Sequence, residues 1–214
     1  MYTQLVETLN TRHVALIAVS KTQSIERLME LYAQGQRAFG ENRVQELLEK
    51  QAAMPPDTEW HLIGHLQTNK VKMIAPFARM IHSVDSLKLL QEIDRQAIKA
   101  GRVLDCLLQF HVAQEETKFG LDVTEATTLL DSTDYAQLQH IRVCGIMGMA
   151  SFTENQEQIR HEMRTLHHIF EQLKTAYFSE APHFKEISMG MSGDWEIAVE
   201  EGSTMVRIGS LLFA

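Results

Sequence analysis

A single-domain α/β fold, the (β/α)8 TIM barrel, is predicted for this chain by three observations. Short apolar segments of strand type alternate with longer stretches of helical period, the pattern of βαβ units around a parallel sheet. Eight such segments can be counted, the number that closes this barrel. The 214 residues, 44% hydrophobic and 22% charged, suffice for one large core but not for a barrel plus a second domain.

The elements follow in order. Strand one, Leu16–Val19, belongs to the run Val14-Ala-Leu-Ile-Ala-Val-Ser-Lys-Thr22, which stops abruptly at Lys21 before a helical stretch over Ser24–Gln34. Strand two, Ala38–Gly40, leads to a helix over Arg43–Ala53, and Pro55-Pro-Asp57 then punctuates the chain as a loop. Strand three is His61–Ile63, with a short helix over Asn69–Ile74. Strand four is Met80–Ser83 with a helix over Ser86–Ala100, and strand five is Asp105–His111 with a helix over Val123–Ser132. Strand six, Val143–Met147, precedes the long helix Asn155–Tyr177, and Glu186–Met189, Trp195–Glu200 and Met205–Ile208 complete the series. Several of these helices open on Ser, Thr, Asn or Asp and close near Gly. The chain starts close to strand one, so no helix is expected ahead of it.

A formal charge of -8 argues against a general nucleic-acid-binding surface. Cys106 and Cys144 sit in apolar, strand-like settings without CxxC spacing, so neither a disulfide framework nor a zinc site is suggested. No basic segment followed by a long apolar core opens the chain, and its apolar runs fall short of a membrane span. A cytoplasmic protein that binds neither nucleic acid nor membrane is the expectation.

Three places carry chemistry. A barrel strand that ends on a lysine delivers an amine to the barrel mouth, and burying that amine lowers its proton affinity, as a Schiff-base lysine requires. The alternative for Lys21 is a solvated strand end. Ile187-Ser-Met-Gly-Met-Ser-Gly-Asp194 and Gly202-Ser-Thr-Met-Val-Arg-Ile-Gly-Ser210 put small-residue turns after strands seven and eight, where barrels bind phosphate. Glycine admits the anion to the backbone, serine donates, and free amides at the start of the Trp195 helix add a positive dipole end. Two tight turns that need Gly and Ser only for their geometry are the alternative. Asn42 either caps the next helix or faces the barrel mouth. His61 and His65 are spaced like a metal pair, but Gly64 and the missing third ligand count against one. Lys118 either reaches the same rim or is solvated. His161, His167 and His168 read as a solvated helix face.

Taken together, Ala-Val-Ser-Lys-Thr, Phe-Gly-Glu-Asn-Arg-Val-Gln-Glu, Trp-His-Leu-Ile-Gly-His-Leu-Gln-Thr-Asn-Lys, Ile-His-Ser-Val-Asp, Ser-Met-Gly-Met-Ser-Gly-Asp and Gly-Ser-Thr-Met-Val-Arg-Ile-Gly resemble the pyridoxal phosphate homeostasis protein family, in order from Val14 to Phe213. The resemblance implies a barrel similar to the N-terminal domain of alanine racemase, carrying pyridoxal 5'-phosphate (PLP) on a lysine without established turnover. It places the aldimine on Lys21, the phosphate on Ser192, Gly209 and Ser210, and the pyridine nitrogen opposite Arg207. Many relatives have Thr at Ser210, often Thr and Pro at Gly148 and Ser151, and a further tail after Phe213.

The function expected from this is that of a monomeric PLP carrier for intracellular PLP homeostasis, handing cofactor to apo PLP-dependent enzymes. A guanidinium opposite the ring nitrogen makes the ring a weaker electron sink than a carboxylate would. The rival is a PLP-dependent amino-acid racemase or decarboxylase, which needs a second base, and none of Tyr2, Tyr32, Tyr135 and Tyr177 is expected at the mouth. A third reading is non-covalent phosphate-ligand binding with Lys21 as an ion partner. Lys70 or Lys118 is left as a second holding site.

Overall fold

The structure, a computed structural model, describes residues 2–114 and 119–213. The elements run α1 (Tyr2–Thr11), β1 (Ala15–Val19), α2 (Ile25–Ala33), β2 (Ala38–Glu41), α3 (Val44–Ala53) and β3 (Glu59–Leu62). A 3-10 turn over Thr68–Lys70 then feeds α4 (Val71–Ile74), followed by β4 (Met80–Val84), α5 (Leu87–Lys99) and β5 (Leu104–Gln109). The second half holds α6 (Val123–Leu130), α7 (Thr133–Ala136), β6 (Ile141–Met147), α8 (Gln156–Tyr177), β7 (Glu186–Ser188), α9 (Trp195–Glu200) and β8 (Met205–Ile208). The strands pair in parallel in sequence order, and β8 returns to β1 with Leu16 opposite Val206 and Ile17 opposite Arg207. This is the (β/α)8 barrel that the alternation predicts.

Strand alternation sorts the side chains into two layers. Val206 and Ile208 of β8 face outward, where they pack with Leu5, Leu9 and Val14. Met205 and Arg207 therefore point inward, and Met205 joins Met80, Leu107, Cys144 and Met147 in an apolar layer inside the barrel. The larger core lies between sheet and helices, where Phe184 stacks on Phe170 and Phe178 at centroid distances of 4.9 and 4.1 Å. β4 and β5 are buried along their whole length, as strands covered on both faces must be.

Three sequence expectations need correction. A helix, α1, does precede β1; it buries only Leu5 and Leu9 and has no acidic residue in its first turn, so its signal is weak. β5 ends at Gln109 rather than His111, and Phe110 makes only an isolated bridge to Leu121. The helix expected through Ser132 stops at Leu130, because the Ser132 hydroxyl accepts from the Tyr135 amide and starts α7. Among the described residues, no helix is long and apolar enough to cross a membrane.

Candidate functional site

The carboxyl ends of the strands open on a cleft of about 700 Å³. Lys21, Asn42, Ser192, Arg207, Gly209 and Ser210 all line it, so the ends of four strands, β1, β2, β7 and β8, converge there.

Lys21 stands in a turn that begins where β1 ends. The preceding Ser20 is fully buried and donates its hydroxyl to Glu41 Oε1 at 2.6 Å. The following Thr22 has φ 64°, a left-handed conformation uncommon for a β-branched residue. Its amide donates to Glu46 Oε1 at 2.5 Å. Lys50 Nζ lies beneath, donating to the Ser20 carbonyl at 2.6 Å, Glu41 at 2.7 Å and Glu46 at 3.1 Å. Burial works against the charge on Glu46, yet the Thr22 amide and Lys50 outweigh it and hold this carboxyl below its usual range. The sequence leaves Lys21 between a buried amine and a solvated strand end; its side chain is exposed, and the buried lysine is Lys50, at 5% exposure.

Arg207 projects from β8 into the barrel and is buried, which brings its pKa down to about 10 against the opposing attraction of Asp194. It donates to Ser188 Oγ at 2.7 Å and to the Gly148 carbonyl at 3.0 Å. Behind it Ser188 Oγ meets His82 Nδ1 at 3.0 Å, and His82 Nε2 meets His61 Nδ1 at 2.9 Å. Burial pushes the His61 imidazole down to about 3 and His82 well below its ordinary value, with neighbouring positive charge adding to both effects. Two neutral imidazoles and a serine thus form the back wall that aims the guanidinium. His61 and His65 do not act as a pair: His61 is buried in this chain, whereas His65 lines the cleft with Nδ1 3.4 Å from Asp85.

At the other end of the cleft the Ser192 hydroxyl accepts from the amides of Gly209 at 3.3 Å and Leu211 at 3.4 Å, so backbone N–H groups converge on one oxygen-sized position. A Cβ on Gly209 would stand 3.0 Å from the Val19 carbonyl oxygen. The start of α9 offers less than the sequence suggests. The amides of Asp194 and Trp195 both donate to the Met191 carbonyl, at 3.1 and 2.9 Å, and Asp194 Oδ1 accepts from the Met191 amide at 2.5 Å. Ser151 uses its amide and hydroxyl to bind the buried carboxylate of Glu162 at 2.7 and 2.8 Å, and accepts from the Gln114 amide at 3.0 Å. This fastens the loop after β6 against the loop after β5.

The methionines of Gly145–Ala150 were expected to pack the mouth or core, and Met149 lines the cleft, but the sequence reading missed the rest of its apolar side, Ile63, Phe119, Phe152 and Ile159. Phe119 and Phe152 are 56% and 98% exposed, and apolar residues on loops carry no periodicity to betray them. Lys70 ends the 3-10 turn, exposed and outside the cleft lining. None of the four tyrosines lines the cleft. Lys118 lies outside the described residues.

A family model described as alanine racemase, N-terminal domain, matches residues 2–214. A protein of Aquifex aeolicus (strain VF5) named pyridoxal phosphate homeostasis protein is 42% identical over 199 residues, which cover 92% of this chain and 85% of that one. The solved structure of PipY from Synechococcus elongatus PCC7942 without PLP superposes with a TM-score of 0.87 at 36% identity, covering 98% of both chains. The same protein with PLP bound gives a TM-score of 0.85 at 35% identity, with full coverage of both. By these matches the chain belongs to the alanine racemase N-terminal domain family and, within it, to the pyridoxal phosphate homeostasis proteins.

Proposed function

We propose that this protein holds PLP reversibly on Lys21 and serves intracellular PLP homeostasis as a carrier. The observation that carries the reading is the convergence of one lysine, one buried arginine and one cluster of serine hydroxyls and backbone amides on a single cleft. The relatives named for PLP homeostasis and the PLP-bound PipY structure support it.

The residues fit the group. PLP supplies an aldehyde that condenses with a primary amine, and a ring that accepts electrons. Lys21 provides the amine, Asn42 flanks it on the cleft wall, and Ser192, Gly209 and Ser210 supply the donors that a phosphate needs. Arg207 can donate but cannot accept, so the pyridine nitrogen stays unprotonated and carbanion chemistry on the ring is weak. The protein is read as a cytoplasmic monomer, which sedimentation of the purified chain checks.

The test is an absorption spectrum of the purified protein with PLP, then borohydride reduction and mass mapping. A visible band, lost on reduction, with a mass increment on the Lys21 peptide is expected. Lys21→Ala should lose both while keeping the fold; retention of the band would move the link to another lysine. Incubation with L- and D-amino acids should yield no multiple turnovers, whereas an apo PLP-dependent enzyme should recover activity. Sustained racemisation or decarboxylation would establish the enzyme alternative, and His65, 3.4 Å from Asp85, is a titratable group on the cleft that would then serve as second base.

A further inference from the structure

We propose that Lys50, Glu41 and Glu46 form a clamp that presets the Lys21 turn, making Glu46 and Lys50 positioning residues for covalent capture at Lys21. The inference rests on the reading that Lys21 is the capturing amine, and concerns groups that do not themselves touch the cofactor.

The clamp holds the backbone on both sides of the lysine. Lys50 Nζ grips the carbonyl of the residue before it, Ser20, at 2.6 Å, and Glu46 grips the amide of the residue after it, Thr22, at 2.5 Å. Glu41 holds the Ser20 hydroxyl at 2.6 Å and pairs with Lys50 at 2.7 Å, and Lys50 closes the ring onto Glu46 at 3.1 Å. All three clamp residues come from β2 and α3, so the turn after β1 is fixed by its neighbouring βα unit.

Two features separate this from an ordinary packing network. A β-branched residue at φ 64° is disfavoured, so the turn at Thr22, closed locally by the Gln23 amide on the Ser20 carbonyl at 3.0 Å, also draws support from its surroundings. The arrangement also places a buried lysine, Lys50, and a buried glutamate, Glu41, directly under an exposed one. Such a pair is a costly way to gain stability, since hydrophobic residues of similar volume often do as well. It is suited to holding a turn in one geometry. Capture needs that geometry: the Lys21 Nζ lone pair adds to the aldehyde carbon, an imine bond forms with loss of one water, and borohydride adds hydride to the same carbon. A long side chain of high rotamer entropy reaches that carbon efficiently only from a fixed base.

The test is the rate at which Lys21 is labelled in the full chain by PLP plus borohydride, and separately by formaldehyde plus borohydride. The exposed Lys72 and Lys88 serve as internal references. In Glu46→Ala, a half-buried site whose change removes the acceptor of the Thr22 amide and leaves the Glu41–Lys50 pair intact, Lys21 labelling should fall about tenfold while the references do not change. In Thr22→Gly/Glu46→Ala it should partly recover, because glycine adopts positive φ without strain. Unchanged Lys21 labelling in Glu46→Ala, or a proportional loss at all lysines, would overturn the clamp. Lys50→Met strands a buried carboxylate and is read only alongside the Glu46 variant. Failure of the functional reading looks different: PLP would then fail to label Lys21 selectively in the parent chain, while the formaldehyde comparison would still report on the clamp.

Discussion

Ser192 and Ser210 are the residues whose roles a single substitution separates most cleanly. In the structure the Ser192 hydroxyl accepts from the Gly209 and Leu211 amides, and it has a proton left to donate to an anion. Ser210 is more exposed. Ser192→Ala and Ser210→Ala should each weaken PLP binding by about 1.5–3 kcal/mol, since each removes one donor to a charged acceptor while the backbone amides remain. Titration of the visible band measures this; unchanged affinity in both variants and in the double variant would move the phosphate elsewhere. The placement of Lys21, Asn42, Ser192, Gly209 and Ser210 on the cleft was legible because each follows a strand in the sequence, whereas Arg207 lies within β8. Lys50, Glu41, His82 and Ser188 were not legible as partners. Lys50 reaches the Ser20 carbonyl 30 residues away and His82 reaches Ser188 across 106, contacts that no local pattern encodes.

At the scale of elements, strands were easier to place than their edges. The β5–β6 register slips between Cys106 and Leu107, which face Val143 and Gly145, so Cys144 is the extra residue of a bulge. Gly145 takes φ 152° there, and a Cβ on it would lie 1.8 Å from the Glu186 carbonyl oxygen of β7. Gly145→Ala should therefore part β6 from β7 and cost about 3–5 kcal/mol, read as a shift in urea midpoint. Gly193→Ala, where nothing lies within 4 Å of the added carbon, should stay within about 0.5 kcal/mol and serves as its control. Equal effects of the two would refute the register argument. In the sequence Gly145 is one more small residue in an apolar run. The bulge that requires it exists only once β5 and β7 are in place. The same reason hid α1, whose two buried leucines acquire meaning only against Val206 and Ile208 of the distant β8.

The whole molecule responds to pH through the neutral imidazoles inside the barrel. Burial is the main reason that His61 falls to about 3 and His82 lies well below 6.5, so both are uncharged when folded and take up protons only on unfolding. A depressed folded pKa means stability that is complete above the unfolded value of 6.5 and is lost as pH falls from there towards about 3. Each histidine contributes a slope approaching about 1.4 kcal/mol per pH unit in that window. Asp105 is held below 3.8, because Arg142 and Arg79 outweigh the upward push of its burial, and its contribution is lost only at lower pH. Glu41 and Asp194, raised chiefly by burial, act with the opposite sign by favouring the folded state as they protonate. The histidines supply the fall in stability between pH 6.5 and 5, and Glu41 and Asp194 oppose it. Urea midpoints should fall steadily over that range, and His82→Asn, which removes one of the two proton-binding sites, should flatten the slope by about one proton's worth whatever its effect at pH 7.5. A His82→Asn chain with the parent slope would show that the imidazole is not the group held neutral, and that Arg207 is braced by something other than an uncharged Ser188–His82 wall.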